Sequence, residues 1–265
     1  MSPSWRDRVS VFFGPEHVHL ARYGRGWKPQ APTGETLACG AAGANAWQGA
    51  LAALARGLAN RGWQGADAGV TVSNHFVRYA LVPAAGKLRG EGERTAAARH
   101  ALRATHGERA DRWRLVLGRG GDGDAIAAGM EPELVDGITA TLTAAGLRPC
   151  AIEPFLAAAF NGARRSIGRE AAWLAVAEPG RVCVAYLEQG AWRRLRSERV
   201  RNRLEDELPA VLERLRLADG IDAGPGRVLL VARDEPRVEL APASGWWLER
   251  VRLEDAGAAP AATVD

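Results

Sequence analysis

Twice along this chain a short apolar strand runs into a tight turn containing glycine and comes straight back out as a second strand. The first copy is Val9–Phe13, the turn Gly14-Pro15-Glu16, and then His17–Tyr23. The second is Trp173–Ala177, the turn Glu178-Pro179-Gly180, and Arg181–Leu187, with Gly190-Ala191-Trp192 opening a third strand. The second half of the chain thus repeats the theme on which the first half opens.

The rest of the chain is patterned as helices and further strands. Trp47, Leu51, Leu54 and Leu58 share one face of a predicted helix over Ala46–Asn60, which Arg61-Gly62 ends. Two predicted strands follow, Gly69–Ser73 and Val77–Val82, split by Asn74-His75 and closed by Pro83. A helix over Glu93–Thr105 stops at His106-Gly107. Predicted strands Trp113–Gly118 and Asp124–Met130 flank a glycine turn, and helix Pro132–Ala145 ends at Gly146. Strand Pro149–Glu153 then leads into an apolar helix, Phe155–Arg165. In the second half, helix Leu204–Leu217 turns Leu208, Val211, Leu212 and Leu215 inward, and strand Arg227–Ala232 and segment Trp246–Leu253 complete the lobe. Gly26-Trp27-Lys28-Pro29 is read as the start of a third strand of the first lobe, followed by a Gly/Pro/Thr loop. The expectation is an α/β protein with mixed sheets, a domain boundary near Ser166–Glu170, and a disordered Ala/Pro-rich tail over 256–265.

Composition narrows the chemistry. With 47% apolar and 25% charged residues the chain is of ordinary globular make-up. Its length of 265 residues suffices for two moderate domains. No apolar run approaches the ~20 residues that cross a bilayer, and the start, Met1–Arg8, has no long apolar core after its basic residues, so a secretory signal is not expected. Three widely spaced cysteines, Cys39, Cys150 and Cys183, argue for a reducing compartment. Lys28 and Lys87 are the only lysines, so the net charge of +4 is carried by arginine, dispersed along the chain as genome bias would disperse it. That is poor support for nucleic-acid binding.

Several constellations invite a functional reading and are better explained structurally. His17 and His19 share one strand face, but no third ligand stands at metal spacing. Gly118–Asp124 is rich in glycine yet precedes a strand, whereas a phosphate loop must open a helix, so it is read as a hairpin turn. The basic run Arg193–Arg203 is followed at once by Glu205, Asp206 and Glu207, which makes it a self-neutralising solvated face. His75–Tyr79 is more suggestive. Phe76 and Arg78 project from one face of a strand and His75, Val77 and Tyr79 from the other, so one set is core and the other on view. Trp246 and Trp247 likewise cannot both be buried. Phe76, Arg78, Tyr79 and Trp247 are therefore the expected partner-binding anchors.

Thr71–Pro83, an apolar strand, a turn and a second strand closed by proline, resembles the strand pair of the PilM, GspL and MshI proteins of pilus assembly and type II secretion. Ala144–Pro149 leading into Glu153–Asn161 is similar to that family's crossover into the last helix of its first domain. The resemblance implies an actin-like, ribonuclease-H-type fold: domain I over 1–167 with a small α/β insertion at about 108–150, and a reduced domain II over 168–255. Little room lies between Arg196 and Leu204 for a second insertion.

In ATP-binding members of that fold each turn carries an aspartate. Here Phe12-Phe13-Gly14 puts phenylalanine in the carboxylate's place, and Ala177-Glu178-Pro179-Gly180 keeps only Glu178. The adenosine-contacting glycines expected after Arg227–Ala232 read Arg233-Asp234-Glu235-Pro236. Magnesium demands oxygen ligands that a phenyl ring cannot supply. The turns at Phe12, Gly14, Glu178 and Gly180 are therefore read as degenerate, with no cofactor, no metal and no catalytic residue. What the resemblance implies instead is a cytoplasmic scaffold, peripheral to the inner membrane through partners. Its expected partners are the cytoplasmic tail of a PilN-like inner-membrane protein, the assembly ATPase and a second copy of itself, with no nucleic acid. The alternatives are an active ATPase or kinase-type enzyme on the same frame, and a ribonuclease-H-like nucleic-acid-binding protein.

Overall fold

A computed structural model describes residues 6–24, 31–40, 45–59, 61–83, 87–118, 124–168, 170–218, 220–221, 224–233 and 238–253. The chain divides into two compact units, one formed by 1–77, 130–158 and 254–265, the other by 78–129 and 159–253.

The first unit is built on a five-stranded sheet of β1 (Arg8–Phe13), β2 (His17–Tyr23), β3 (Thr33–Ala38), β4 (Asp67–Val72) and β8 (Arg148–Pro154), in the order β3-β2-β1-β4-β8. The β1–β2 and β2–β3 pairs are antiparallel, β1–β4 and β4–β8 parallel. Helix α1 (Ala46–Leu58) buries Ala50, Ala53, Leu54, Gly57 and Leu58, the spacing of one face of a 3.6-residue helix. Helix α3 (Pro132–Ala144) lies beside it. A Cβ on Gly137 would sit 2.7 Å from Leu51 Cδ1, so a larger residue there would require the Leu51 side chain to shift.

The second unit holds a sheet with the same plan. Strands β9 (Ala172–Glu178), β10 (Arg181–Glu188), β11 (Ala191–Arg199), β12 (Arg227–Ala232) and β13 (Trp247–Arg250) run in the order β11-β10-β9-β12-β13. Here too the first three strands are antiparallel and the last two join in parallel. The core on one face comprises Leu204, Leu208, Val211, Leu212 and Leu215 of α5 (Leu204–Ala218) packed on Trp173, Ala175, Val182, Val184, Val228 and Leu230. Helix α4 (Phe155–Ile167), from Ala159 onward, covers the other face. The Phe160 ring lies 4.5 Å from that of Trp192, and Arg227 donates to the Ser166 carbonyl (3.1 Å).

A small third sheet, β5-β7-β6, belongs to this second unit. It is made of β5 (Arg78–Val82), β6 (Arg114–Leu117) and β7 (Ala125–Met130), with α2 (Glu91–His106) over an alanine-rich core of Ala80, Ala98, Ala125 and Ala127 around Leu102. This corrects two sequence expectations. The insertion is drawn from Arg78–Met130 and not from 108–150, because β5 pairs antiparallel with β7 and not with β4. Accordingly α3, expected inside the insertion, belongs with β8 to the first unit.

The third strand of the first sheet is Thr33–Ala38, a stretch read from sequence as loop. Most of its residues are exposed, so it carries no alternation to betray it, and it exists because β2 offers a hydrogen-bonding edge. The strand expected at Gly26–Pro29, most of the Gly118–Asp124 turn and the tail over 256–265 lie outside the described residues.

Candidate functional site: two equivalent turns

The parallel neighbour of each central strand fixes which turn residues correspond. Ser73 N–H, just past β4, donates to the Phe13 carbonyl (3.0 Å), and Arg233 N–H, just past β12, donates to the Ala177 carbonyl (3.1 Å). Phe13 therefore corresponds to Ala177, and Gly14-Pro15-Glu16-His17 to Glu178-Pro179-Gly180-Arg181. By this register Glu178 is the equivalent of Gly14, and the counterpart of Phe12 is Val176, a shift of two residues from the sequence reading.

Proline occupies the same place in both turns, Pro15 and Pro179, and removes the same backbone N–H from each. In the first turn the Gly14 N–H is already committed to the His17 carbonyl (3.1 Å). A Cβ on Gly14 would stand 2.9 Å from that carbonyl oxygen, so the glycine answers a steric demand. In the second, Gly180 has φ +73°, the left-handed conformation that a type II turn with proline at its first central position requires.

Aromatic packing closes the space around the first turn. Phe12, 8% exposed, meets the Phe155 ring edge-on at 5.3 Å, and Phe13 is fully buried with its ring 5.7 Å from Phe76. Behind this cluster, Leu156 N–H in the first turn of α4 donates to Asn74 Oδ1 (3.0 Å). Asn74 is wholly buried and satisfies a donor at a helix N-terminus, where an anion would otherwise be favoured. Nothing in the sequence separated Asn74 from an ordinary turn residue, since its helix begins more than eighty positions downstream.

In the second turn Glu178, which by this register is not at the place of Phe12, is 3% exposed. The neighbouring Cys183 thiol is pushed up to about 12, chiefly by burial, with the Glu178 charge adding to the effect. The residues in place do not fit magnesium and nucleotide. A phenyl ring packed on a phenyl ring fills the first turn, an N–H is missing from each turn, and the remaining carboxylate is withdrawn from solvent. Arg233 is the only residue of the expected adenosine-contacting stretch within the described residues.

The expected anchors separate on burial. Tyr79 is buried at 8% exposure, its carbonyl 3.1 Å from His106 Nε2. Phe76 is half-buried against Phe13. Each contributes to the packing of its own unit. Arg78 is exposed, as is Trp247 at 58%, whereas Trp246 is 4% exposed and packs edge-on against Trp173 at 5.4 Å. The histidines remain a pair: the His17 and His19 rings are 6.3 Å apart and His19 Nδ1 is 2.7 Å from Thr36 Oγ1. Among the described residues no three His, Cys, Asp or Glu side chains gather as a metal site. The basic run is partly paired with the acids that flank it, through Arg193–Glu188 (3.0 Å), Arg203–Glu205, and Glu207 Oε1 accepting from the backbone N–H of Arg201 and Asn202.

Two half-buried carboxyls lie in the first sheet, Asp67, paired with Arg148 (2.8 Å), and Glu153. Glu153, at the register position beside Thr71, is held above the usual carboxylate range by desolvation, which the nearby Arg8 charge partly offsets.

No helix among the described residues is long and apolar enough to cross a membrane. By sequence, no family model and no curated protein matches the chain. By structure it is similar to a PilM–PilN type IV pilus biogenesis complex (TM-score 0.64, 16% identity, 94% of this chain and 89% of the other). It is also similar to the cytoplasmic domain of EpsL, an inner-membrane component of the type II secretion system of Vibrio cholerae (TM-score 0.57, 11% identity, 93% and 90% covered). A third likeness is to a Bacteroides thetaiotaomicron protein with actin-like ATPase fold and unknown function (TM-score 0.58, 10% identity, 87% and 83% covered). The duplicated 3-2-1-4-5 sheets and these likenesses agree: the chain has the actin-like ATPase fold.

Proposed function

We propose that the protein is a non-catalytic, actin-like scaffold of a type IV pilus or related secretion machine. In this reading it works in the cytoplasm, reaches the inner membrane only through partners, and docks the cytoplasmic tail of a PilN-like assembly protein, with the assembly ATPase as a further partner. The observation that carries the reading is the pair of turns: Phe12 seals the first against Phe155, and Pro15 and Pro179 delete the same amide from both. A frame kept without its phosphate grip suits a protein that binds other proteins. Similarity to the pilus complex supports the choice of partner.

The test is capture of tails. Amino-terminal cytoplasmic segments of the single-span inner-membrane proteins encoded beside this gene are immobilised and offered the full chain. Saturable capture by one of them is expected; retention on none of them would overturn the proposal.

A further inference from the structure

Each sheet of the molecule ends in two edge strands, and one of them stands apart. In the first sheet β8 carries Pro149 and Pro154 and shifts register against β4. In the second, β11 shifts register against β10 and lies beside β5, and β13 is four residues long. In the small sheet β6 is again four residues long, and β5 lies beside β11. Proline, bulges, short length and cover are the usual protections against pairing with another chain. Strand β3 has none of these among the described residues. Its six residues pair with β2 in unbroken register, and all but Leu37 are exposed.

The register determines what this edge offers. Just past β3, Cys39 N–H donates to the Glu16 carbonyl (2.7 Å), so the odd-numbered residues of β3 bond inward to β2. The N–H and C=O groups of Gly34, Thr36 and Ala38 therefore point away from the sheet. Pro32, the next outward position, has no N–H and limits the usable edge to these three. Glu35 and Leu37 share the face covered by α1, since a Cβ on Gly57 would meet Leu37 Cδ1 at 2.6 Å. From that helix the exposed Arg56 reaches the edge, where its Nη2 donates to the Ala38 carbonyl (2.8 Å). That carbonyl keeps a second lone pair for a partner strand.

We infer that β3 is a docking edge for a second copy of this chain: the two β3 strands pair antiparallel about a two-fold axis at Thr36, joining the two first sheets into one. Charge and register choose both the occupant and the alignment. An axis at Glu35 would set that carboxylate against its own copy, and like charges directly opposite destabilise a sheet. An axis at Leu37 would carry Gly34 past the end of the other strand. The axis at Thr36 pairs Gly34 with Ala38 and puts Glu35 of one copy opposite Leu37 of the other, on the face from which Arg56 reaches Ala38. Each carboxylate then meets the other copy's guanidinium, twice by symmetry. On the opposite face only Gly34, Thr36 and Ala38 meet, all small enough for close approach. An unrelated strand would have to bring an acid to that one place; this chain carries it on the same edge. The inference is independent of the scaffold reading, since it concerns how two copies join and not which tail they hold.

The test is the oligomeric state of the full chain, read by sedimentation velocity over a range of concentrations. A single strand pair is a small interface, so a dimer with a Kd of roughly 1–100 µM is expected. Glu35→Arg sets guanidinium against guanidinium across the seam, and Arg56→Glu sets carboxylate against carboxylate. Each variant alone should dimerise at least about tenfold more weakly than wild type. Mixed in equal amounts they should recover the dimer, because each then brings the charge that the other lacks. In wild type, amide exchange at Gly34, Thr36 and Ala38 should slow as protein concentration rises. A wild type that stays monomeric at about 1 mM, or a mixture of folded variants that associates no better than either alone, would overturn the proposal. Should a variant fail to fold, the exchange series decides, and rates at those three amides that ignore concentration would overturn it equally. A monomeric chain whose three amides are protected by a captured membrane-protein tail would give the edge to that tail, refuting the second copy and leaving the scaffold standing. A dimer that passes these tests while no tail is captured would do the reverse.

Discussion

The two five-stranded sheets share strand order and direction, yet they are finished differently. Between β4 and β8, residues 73–147 contain a whole subdomain and the covering helix α3. Between β12 and β13, residues 233–246 show only a 3-10 turn at Pro242–Ser244 among those described. The turns differ in the same spirit. The first is packed with phenylalanine and held by a steric need for glycine; the second buries a glutamate and holds its glycine by dihedral angle. A shared topology thus constrains hydrogen-bond register and leaves the side chains in each turn to answer local packing.

The strongest blow to that comparison is Phe12→Asp. Restoring the carboxylate of the ATP-binding pattern should cost roughly 3–5 kcal/mol, since it deletes a buried ring and buries a charge against Phe155. Urea denaturation measures it; a loss below about 1 kcal/mol would mean that the first turn is not sealed.

Next in size, Gly14→Ala and Gly180→Ala should each cost about 1–2 kcal/mol, for different reasons. Asparagine tells them apart. It tolerates the left-handed conformation and should recover much of the loss at 180, but it still brings a Cβ against the His17 carbonyl at 14. Equal behaviour of Gly14→Asn and Gly180→Asn would erase the distinction between the turns.

Asn74→Ala should cost about 1 kcal/mol by stripping the donor at Leu156 of its acceptor. Aspartate there keeps the acceptor, so Asn74→Asp should do better than alanine in the same denaturation series.

The smallest effect is a gain. Because burial raises the Glu153 carboxyl above its ordinary value of 4.5, the folded state holds that proton more tightly than the unfolded state does. Stability contributed by the protonated group is full below that value and is lost as pH rises through the raised one. Glu153→Gln should therefore match wild type near pH 3 and melt higher at pH 7. The opposite ordering at pH 7 would place Arg8, and not desolvation, in control.

Much of this architecture could be read from residues alone, and the exceptions have causes. Helices α1 and α5 and strands β1, β2 and β12 follow from apolar periodicity, which local sequence carries directly. Strand β3 was invisible because an exposed edge strand needs no apolar face. The partnership of β5 was misjudged because adjacency in sequence favours a hairpin with β4, while its buried face, Ala80 and Val82, finds Leu102 of α2 instead. At the site, the loss of the first carboxylate was legible in Phe12. The correspondence of Glu178 with Gly14 was not, since it depends on hydrogen bonds from Ser73 and Arg233, far from either turn in sequence. The role of Asn74 is of the same non-local kind, and the burial of Tyr79 depends on β5 joining another sheet.

In the proposed scaffold role, the actin-like frame binds no nucleotide. Isothermal titration of the full chain with ATP and magnesium tests it most directly: no saturable heat is predicted up to about 1 mM ligand. A saturable, magnesium-dependent isotherm in the micromolar range, abolished by Glu178→Gln, would contradict it.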